Sequence, residues 1–270
     1  MENIILRNNV RVIGSGDQAI ILAHGFGCDQ HVWRHLVKAF ESFFKIVAFD
    51  YVGAGASDNS AYSSEKYGSL DGYAQDLIDV LDALEIRDVI FIGHSVSSMI
   101  GVRAAIKYPG HFSKLIFVAP TPSYINDGDY AGGMDKEDVE SLLSIMEANY
   151  LGWSSSLAPL VMGNPESPEL GDELTANFCS TNPDIAKEFA RVTFLSDSRA
   201  DLPKLKVESL TLQCSEDILA PIEVGEYIRT HTPNNSLVVL KATGHCPHLS
   251  APKETVAAIS KFLNCTYTDL

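Results

Sequence analysis

Residues 88–101 read Asp-Val-Ile-Phe-Ile-Gly-His-Ser-Val-Ser-Ser-Met-Ile-Gly, and this stretch decides the fold. The four consecutive apolar residues 89–92 predict a central parallel strand that is covered on both faces, and Gly93 is expected to end it. After Ser95, apolar residues recur at helical spacing as far as Pro109, which predicts a helix. Ser95 is therefore expected at a sharp turn from strand to helix, as in a nucleophile elbow.

The pentapeptide around Ser95 departs from the elbow pattern in one place. The pattern is Gly-x-Ser-x-Gly, and the fifth position here is Ser97 rather than glycine. Serine is small enough to fit there, but a serine that caps an ordinary helix explains the pentapeptide equally well. The rest of the chain has to decide between a nucleophile and a helix cap.

Composition narrows the class of protein and its partners. The chain has 270 residues, of which 46% are hydrophobic, enough for one large α/β domain or two small ones. A net charge of −15 argues against nucleic acid and anionic membranes, which are bound through basic patches. The five cysteines are scattered without a Cys-x-x-Cys pair, so neither disulfides nor structural zinc are expected. No apolar run is long enough to span a membrane, and a cytoplasmic location is expected.

Strands and helices alternate on both sides of the elbow. The predicted strands cover residues 10–13, 19–23, 45–49, 89–92, 115–119, 208–214 and 237–240. Amphipathic helical patterns, such as the one at 70–84, separate them. This alternation implies right-handed crossovers and a mostly parallel, doubly wound α/β sheet.

The alternation breaks at residues 121–195. This segment has helical patterns divided by prolines and glycines and no convincing strand. The helices are predicted at 139–146, 149–157, 169–178 and 183–194. We expect residues 121–195 to form a helical cap over the strand ends, with residues 1–120 and 196–270 forming the core.

Three polar side chains follow predicted strands and could act together. Ser95, Asp217 and His245 occur in the chain order serine, acid, histidine that the α/β-hydrolase arrangement requires. His245 would accept the serine proton, and Asp217 would orient the imidazole and stabilise its charged form. Asp50 stands at the end of another predicted strand and is a rival for the acid.

A glycine-flanked loop, His24-Gly25-Phe26-Gly27, follows the predicted strand at 19–23. Such a turn brings backbone N–H groups close to whatever lies above the sheet. The N–H groups of Phe26 and Val96 are therefore the candidate donors of an oxyanion hole.

Other chemistries fit the sequence less well. Gly53 and Gly55 form a weak dinucleotide signal, because no third glycine opens a helix at the required spacing, and no cofactor is expected. Haloalkane dehalogenases and epoxide hydrolases use an aspartate where this chain has Ser95. An interfacial lipase is also disfavoured, because no exposed amphipathic stretch has a basic face.

Four short motifs carry a resemblance to a known family. They are His24-Gly25-Phe26-Gly27, Gly93-His94-Ser95-Val96-Ser97, Tyr124-Ile125-Asn126-Asp127 and Gly244-His245-Cys246-Pro247-His248-Leu249-Ser250. Over nearly its whole length the chain resembles the small α/β-hydrolases that include RsbQ-like bacterial stress-signalling proteins and the plant karrikin and strigolactone receptors. This resemblance implies an α/β-hydrolase fold, with a V-shaped cap of four helices inserted between sheet strands above a deep apolar pocket.

The resemblance also implies roles for individual residues. By position, Ser95 would be the nucleophile, His245 the base and Asp217 the orienting acid, with Phe26 and Val96 as oxyanion donors. The residues implied to line the pocket are Tyr124, Leu142, Trp153, Leu157, Phe194 and Leu219. Leu157 is aliphatic where karrikin receptors have an aromatic residue, so the pocket is expected to be wider there.

Two functions follow as expectations. The first is a serine hydrolase that cleaves a small apolar ester or butenolide-like lactone in a signalling role, without cofactor or metal. The alternative is a ligand-sensing protein that binds a phosphatase or another signalling partner, with hydrolysis slow or incidental. Neither function involves nucleic acid or a membrane.

Overall fold

The computed structural model describes residues 3–270 and places a seven-stranded sheet at the centre of that range. Residues 1 and 2 of the predicted core segment lie outside the described residues. The strands are β1 (Arg11–Ile13), β2 (Ala19–Ala23), β3 (Lys45–Ala48), β4 (Val89–His94), β5 (Phe112–Val118), β6 (Glu208–Glu216) and β7 (Asn235–Thr243). Their spatial order is β1-β3-β2-β4-β5-β6-β7, and β1 pairs antiparallel to β3 at one edge, whereas the other pairs are parallel. The predicted mostly parallel, doubly wound sheet is confirmed.

Helices cover both faces of this sheet. They are α1 (Ile4–Arg7), α2 (Arg34–Phe40), α3 (Ser64–Tyr67), α4 (Leu70–Ala83), α5 (Val96–Lys107), α6 (Lys136–Ala148), α7 (Tyr150–Met162), α8 (Pro168–Ser180), α9 (Pro183–Phe194), α10 (Ile222–His231), α11 (Pro247–Ser250) and α12 (Pro252–Leu263). Across residues 3–270, none of them combines the length and the apolar character needed to cross a membrane.

Strand β2 shows how the sheet separates two hydrophobic cores. Every residue of β2 is buried, which explains the continuous apolar run in its sequence. Side chains alternate between the faces, so Ile20 and Leu22 belong to the core that includes residues of α2 and α12, whereas Ile21 and Ala23 belong to the core that includes residues of α4, α5 and α10. Each fully buried aliphatic side chain contributes roughly 1.5–3 kcal/mol, so both cores stabilise the sheet that carries the strand ends.

Strand β4 continues past its predicted end. Gly93 and His94 still pair with Phe117 and Val118 of β5. Gly93 instead allows the Phe91 ring to pack closely against the backbone, because a Cβ at this position would lie 2.6 Å from that ring. The change of direction therefore falls entirely on the next residue, Ser95.

The four helices α6 to α9 lie between β5 and β6 in the chain. Each covers the region where the sequence predicts a helix, but α7 runs to Met162 rather than ending at Leu157. The sequence predicts a turn at Pro159, but this residue lies inside α7. There it removes one backbone hydrogen-bond donor without ending the helix. The extra turn brings the end of α7 to the loop that carries His245.

Candidate active site

Ser95 occupies a strained turn between β4 and α5. Its backbone angles are φ 56° and ψ −124°, which L-residues rarely adopt and which cost about 1–3 kcal/mol. The Ser95 N–H donates to the carbonyl of Val118 at 2.8 Å and fastens the turn to β5. Within residues 3–270 the Ser95 side chain makes no capping hydrogen bond to α5, so the helix-cap interpretation is wrong.

The Ser95 hydroxyl instead begins a chain of hydrogen bonds. Ser95 Oγ lies 2.7 Å from His245 Nε2, and His245 Nδ1 lies 2.6 Å from Asp217 Oδ2. Because a carboxylate can only accept, Nδ1 carries the proton and Nε2 is free to accept the serine proton. Ser95 and His245 are 4% and 3% exposed, and the Asp217 side chain is fully buried. The structure thus brings together all three residues that the sequence singles out.

Asp217 is held on both of its oxygens. Oδ1 accepts the N–H groups of Leu219 and Ala220 at 2.9 and 3.2 Å, which leaves Oδ2 for His245. A carboxylate fixed in this way can orient the imidazole without rotating itself.

The rival acid Asp50 has a different use. Its carboxylate accepts the backbone N–H groups of Gln30 and Ala56 at 2.9 and 3.0 Å and the side-chain amide of Asn9 at 2.7 Å. These bonds tie together three segments of the chain. Asp50 therefore stabilises the packing of these loops, and in the part of the chain that the structure describes its carboxylate does not orient a histidine ring.

Two backbone N–H groups stand beside Ser95. Val96 is the first residue of α5, so its N–H has no acceptor within the helix. In the described part of the chain, the Phe26 N–H likewise makes no hydrogen bond. The loop of Phe26 lies close to the elbow, because a Cβ on Gly25 would be only 2.5 Å from His94 Nδ1. Among residues 3–270 both N–H groups are thus without an acceptor, and their role as oxyanion donors stays a prediction.

The contacts of the Ser97 hydroxyl give a physical reason for a serine at the fifth position of the elbow pattern. Its hydroxyl donates to the carbonyl of His24, at the start of the loop that carries Phe26, and lies 3.2 Å from the hydroxyl of Tyr51. Glycine could not make these contacts. Ser97 therefore links the elbow helix to the loop of the predicted oxyanion hole.

His94, directly before Ser95, contacts the histidine loop. Its Nε2 donates to the His245 carbonyl at 2.8 Å, and Nδ1 is buried without a partner among residues 3–270. Burial lowers the pKa of the His94 ring well below its ordinary value, and the neighbouring His248 lowers it further. His94 is thus a neutral donor that holds the backbone of His245. No sequence motif indicated this contact, because it depends on how two distant loops meet.

We expect the His94→Leu variant to show a lower kcat on p-nitrophenyl acetate, by about 10- to 100-fold, with a smaller change in KM. The cause is loss of the bond that positions the His245 backbone. His94→Gln keeps a donor of similar reach and should recover much of kcat. Equal losses in the two variants, with the thermal midpoint unchanged, would contradict this role.

A narrow, mainly apolar cavity lies above Ser95. Its lining residues are Phe26, Cys28, His94, Ser95, Tyr124, Trp153, Leu157, Val161, Leu174, Phe178, Thr193, Phe194, Leu219, His245 and Cys246. Five of the six side chains expected to line a pocket, Tyr124, Trp153, Leu157, Phe194 and Leu219, are among them. Its free volume is about 30 Å³, room for about two water-sized groups. Larger ligands must therefore displace lining side chains.

Leu142 lies outside this cavity. In α6 the buried side is formed by Val139, Leu143 and Met146, and Leu142 projects about 100° away from Leu143 around the helix axis. It lines a wider cleft of about 540 Å³ between α6 and α7. This cleft shares Trp153 and Leu157 with the cavity above Ser95, so Leu142 lies next to that cavity rather than in its wall, and its role in binding stays a prediction.

The sequence analysis missed Val161 and Leu174, which share helical faces with other residues that line the cavity. Val161 lies one and two turns beyond Leu157 and Trp153 on α7, and Leu174 and Phe178 are one turn apart on α8. A spacing of four residues from Leu157 on α7 and from Phe178 on α8 could have identified both residues.

Tyr124 contributes a polar group near the serine. Its hydroxyl lies 3.4 Å from Ser95 Oγ, and its ring packs 4.9 Å from the ring of Phe194. Burial raises the pKa of the Tyr124 hydroxyl above its ordinary value, so the group stays protonated and can donate.

The end of α7 is fastened to the loop that carries His245. The His245 N–H donates to the carbonyl of Val161 at 2.9 Å, and the Asn164 amide donates to the carbonyl of Thr243 at 3.0 Å. Gly244 has φ 79°, and a Cβ there would lie 1.8 Å from the carbonyl oxygen of Met162. The helical insertion and the histidine loop are therefore in direct contact.

Known proteins share this architecture. Residues 20–259 match the sequence model of the alpha/beta hydrolase family. A karrikin insensitive 2 receptor from Petunia hybrida is 39% identical over 95% of this chain and 96% of its own length. A strigolactone esterase from Arabidopsis thaliana is 38% identical over 97% of this chain and 96% of its own length. The solved structure of a hydrolase from Oleispira antarctica is 41% identical, with a TM-score of 0.95 over 97% of this chain and 96% of that one.

These findings confirm the resemblance to karrikin and strigolactone receptors drawn from the four motifs. The chain belongs to the alpha/beta hydrolase family.

Proposed function

We propose that this chain is a serine hydrolase that cleaves a small apolar ester or butenolide-like lactone, with a role in signalling. One observation carries the proposal: Ser95, His245 and Asp217 form a continuous chain of hydrogen bonds beside an apolar cavity. The strigolactone esterase among the relatives supports a lactone as a substrate class.

In the first half of the reaction, Ser95 Oγ attacks the carbonyl carbon while His245 Nε2 takes the hydroxyl proton. Asp217 stabilises the imidazolium that forms. The N–H groups of Phe26 and Val96 donate to the carbonyl oxygen as it becomes negative. The intermediate then collapses, the alcohol leaves with the proton from His245, and the acyl group remains on Ser95.

In the second half, water attacks the acyl group and gives its proton to His245. The tetrahedral intermediate collapses, Ser95 recovers its proton and the carboxylic acid is released. With a lactone substrate, the alcohol and the acid belong to one molecule, so the product is a hydroxy acid.

The proposal assigns binding to the insertion as well. Residues 121–195 act as the cap, and Tyr124, Trp153, Leu157, Phe194 and Leu219 hold the substrate above Ser95. The apolar lining supports substrates with apolar groups around the carbonyl. A cytoplasmic location is part of the proposal and is supported by the five cysteines, which are all free within the described range.

The test is turnover of p-nitrophenyl acetate and of an aryl-ether butenolide by the purified protein. We expect saturable release of the phenol from both compounds, at rates well above the buffer reaction. If neither compound is turned over, and a serine-directed fluorophosphonate does not react, the proposed function is wrong.

A ligand-sensing protein is the second candidate. The hydrogen bonds between α7 and the histidine loop favour it, because a group attached to Ser95 or His245 would act directly on the insertion. The karrikin receptor among the relatives adds support. In this proposal a phosphatase or another signalling protein recognises the altered cap.

Intact-mass spectrometry separates the two candidates. The protein is incubated with the butenolide, and hydrogen exchange in α7 is followed in the same sample. An adduct that persists on Ser95 or His245, together with faster exchange in α7, supports the sensor. Rapid turnover without an adduct and with unchanged exchange supports the ordinary hydrolase.

A further inference from the structure

Thr193, one of the residues that line the cavity, has a buried side-chain hydroxyl without a partner among residues 3–270. It lies in the last turn of α9, lines the cavity above Ser95 and is 1% exposed. Among residues 3–270, its Oγ1 has no hydrogen-bond partner. Buried hydroxyls in proteins are nearly always paired, so an unpaired one beside a cavity indicates a partner that comes from outside the chain.

Neighbouring helices show what a hydroxyl normally does in this environment. The hydroxyl of Ser154 donates to the carbonyl of Tyr150, four residues earlier in α7, at 2.8 Å. The hydroxyl of Thr175 donates in the same way to the carbonyl of Gly171 in α8, at 2.8 Å. Such back-bonding is the usual solution for serine and threonine inside a helix. Thr193 has not adopted it, and its hydroxyl keeps its full capacity to donate.

The surroundings of Thr193 make this donor selective. The adjacent Phe194 packs against Tyr124 and Phe26, and the cavity wall formed by α7 and α8 is aliphatic and aromatic. A ligand that fills the cavity meets polar side chains at Ser95, His94, His245 and Tyr124, on the side where the reacting carbonyl would lie. Thr193 adds a donor on the insertion.

We infer that Thr193 forms a polar subsite for esters or lactones that carry an ether, ring or carbonyl oxygen away from the bond that is cleaved. The inference rests on the proposed hydrolase function and narrows its substrate class. An oxygen at that place accepts from Thr193 Oγ1, whereas a methylene group of the same size leaves the hydroxyl unpaired. Sites built around a buried hydrogen-bonding group discriminate strongly against ligands that lack the partner.

The test uses Thr193→Val, which replaces the hydroxyl with a methyl group of similar size. Matched p-nitrophenyl esters differ only by an ether oxygen in place of a methylene group: methoxyacetate and butanoate, 3-methoxypropanoate and pentanoate, 4-methoxybutanoate and hexanoate. The ratio of kcat/KM for the ether ester to that for the alkyl ester is measured in both proteins. Comparing the two proteins cancels the intrinsic reactivity of each ester.

At one or more chain lengths, Thr193→Val should lower this ratio about 5- to 10-fold, the effect of one hydrogen bond. Thr175→Val is the matched control, because its hydroxyl bonds within α8, and it should leave the ratio unchanged. If alkyl and ether esters are both turned over and no ratio differs between the proteins, the subsite is wrong and the hydrolase function stands. If no ester is turned over, the hydrolase function fails and the subsite fails with it.

Stability without ligand gives a second readout. Since Thr193→Val removes an unpaired buried hydroxyl, its thermal midpoint should equal or exceed that of the unmodified protein. Thr175→Val breaks an existing bond and should lower the midpoint. A clear fall in the midpoint of Thr193→Val would show that the hydroxyl has a structural partner and would contradict the inference.

Discussion

Replacing Ser95 with alanine is expected to lower kcat/KM for p-nitrophenyl acetate by about a thousandfold or more. Without Oγ no acyl-enzyme can form, and only the N–H groups of Phe26 and Val96 and the binding of the ester remain to assist attack by water. The steady-state rate at saturating and limiting ester is the measurement. Titration with a fluorophosphonate shows at the same time whether a reactive nucleophile is left.

The matched control is Ser98→Ala, one turn into the same helix. The Ser98 hydroxyl donates to the carbonyl of Gly93 at 3.0 Å and does not line the cavity. This variant should keep kcat within a few-fold of the unmodified protein, with a modest loss of stability. Comparable activity in Ser95→Ala and Ser98→Ala, with both proteins folded, would remove Ser95 from the reaction.

Asp217→Asn is expected to lower kcat by about four orders of magnitude. Asparagine fills the same space, but its amide can turn an NH₂ group toward His245 Nδ1. The ring would then carry its proton on Nε2, where it can no longer accept the proton of Ser95. The loss should appear in kcat, since Asp217 does not line the cavity.

Asp50→Asn tests the rival acid. Because Asp50 accepts from Gln30, Ala56 and Asn9, the amide should lower the thermal midpoint while kcat of the folded protein changes only a few-fold. Losses of kcat that are equal in Asp50→Asn and Asp217→Asn would show that the acid has been assigned to the wrong residue.

Local patterns were sufficient to predict the elbow. The apolar run before Gly93 and the helical spacing after Ser95 depend on neighbours a few residues away, and so they can be read directly from the sequence. The chain order of Ser95, Asp217 and His245 added the expectation that these residues meet. The distances could not be predicted, because Ser95 and His245 lie 150 residues apart and their approach depends on the whole sheet.

The rotation of helices about their axes and the contacts between distant loops could not be predicted from the sequence. Periodicity showed that α6 has an apolar side, but Leu142 and Leu143 are adjacent in sequence and only packing decides which one is buried. Pro159 indicated the end of a helix, whereas the surrounding structure carried α7 one turn further. The bond from His94 to the His245 carbonyl and the unpaired hydroxyl of Thr193 became visible only once distant segments were placed side by side.

The most direct test of Ser95 as the nucleophile is peptide mapping after reaction with a fluorophosphonate. Because His245 and Asp217 activate Ser95, we expect one equivalent of label per chain, attached to Ser95. Esterase activity should fall in proportion to the fraction of Ser95 that is labelled. In His245→Ala, labelling should slow by several orders of magnitude. Stoichiometric loss of activity with the label on any other residue, or full activity after Ser95 is labelled, would contradict the account.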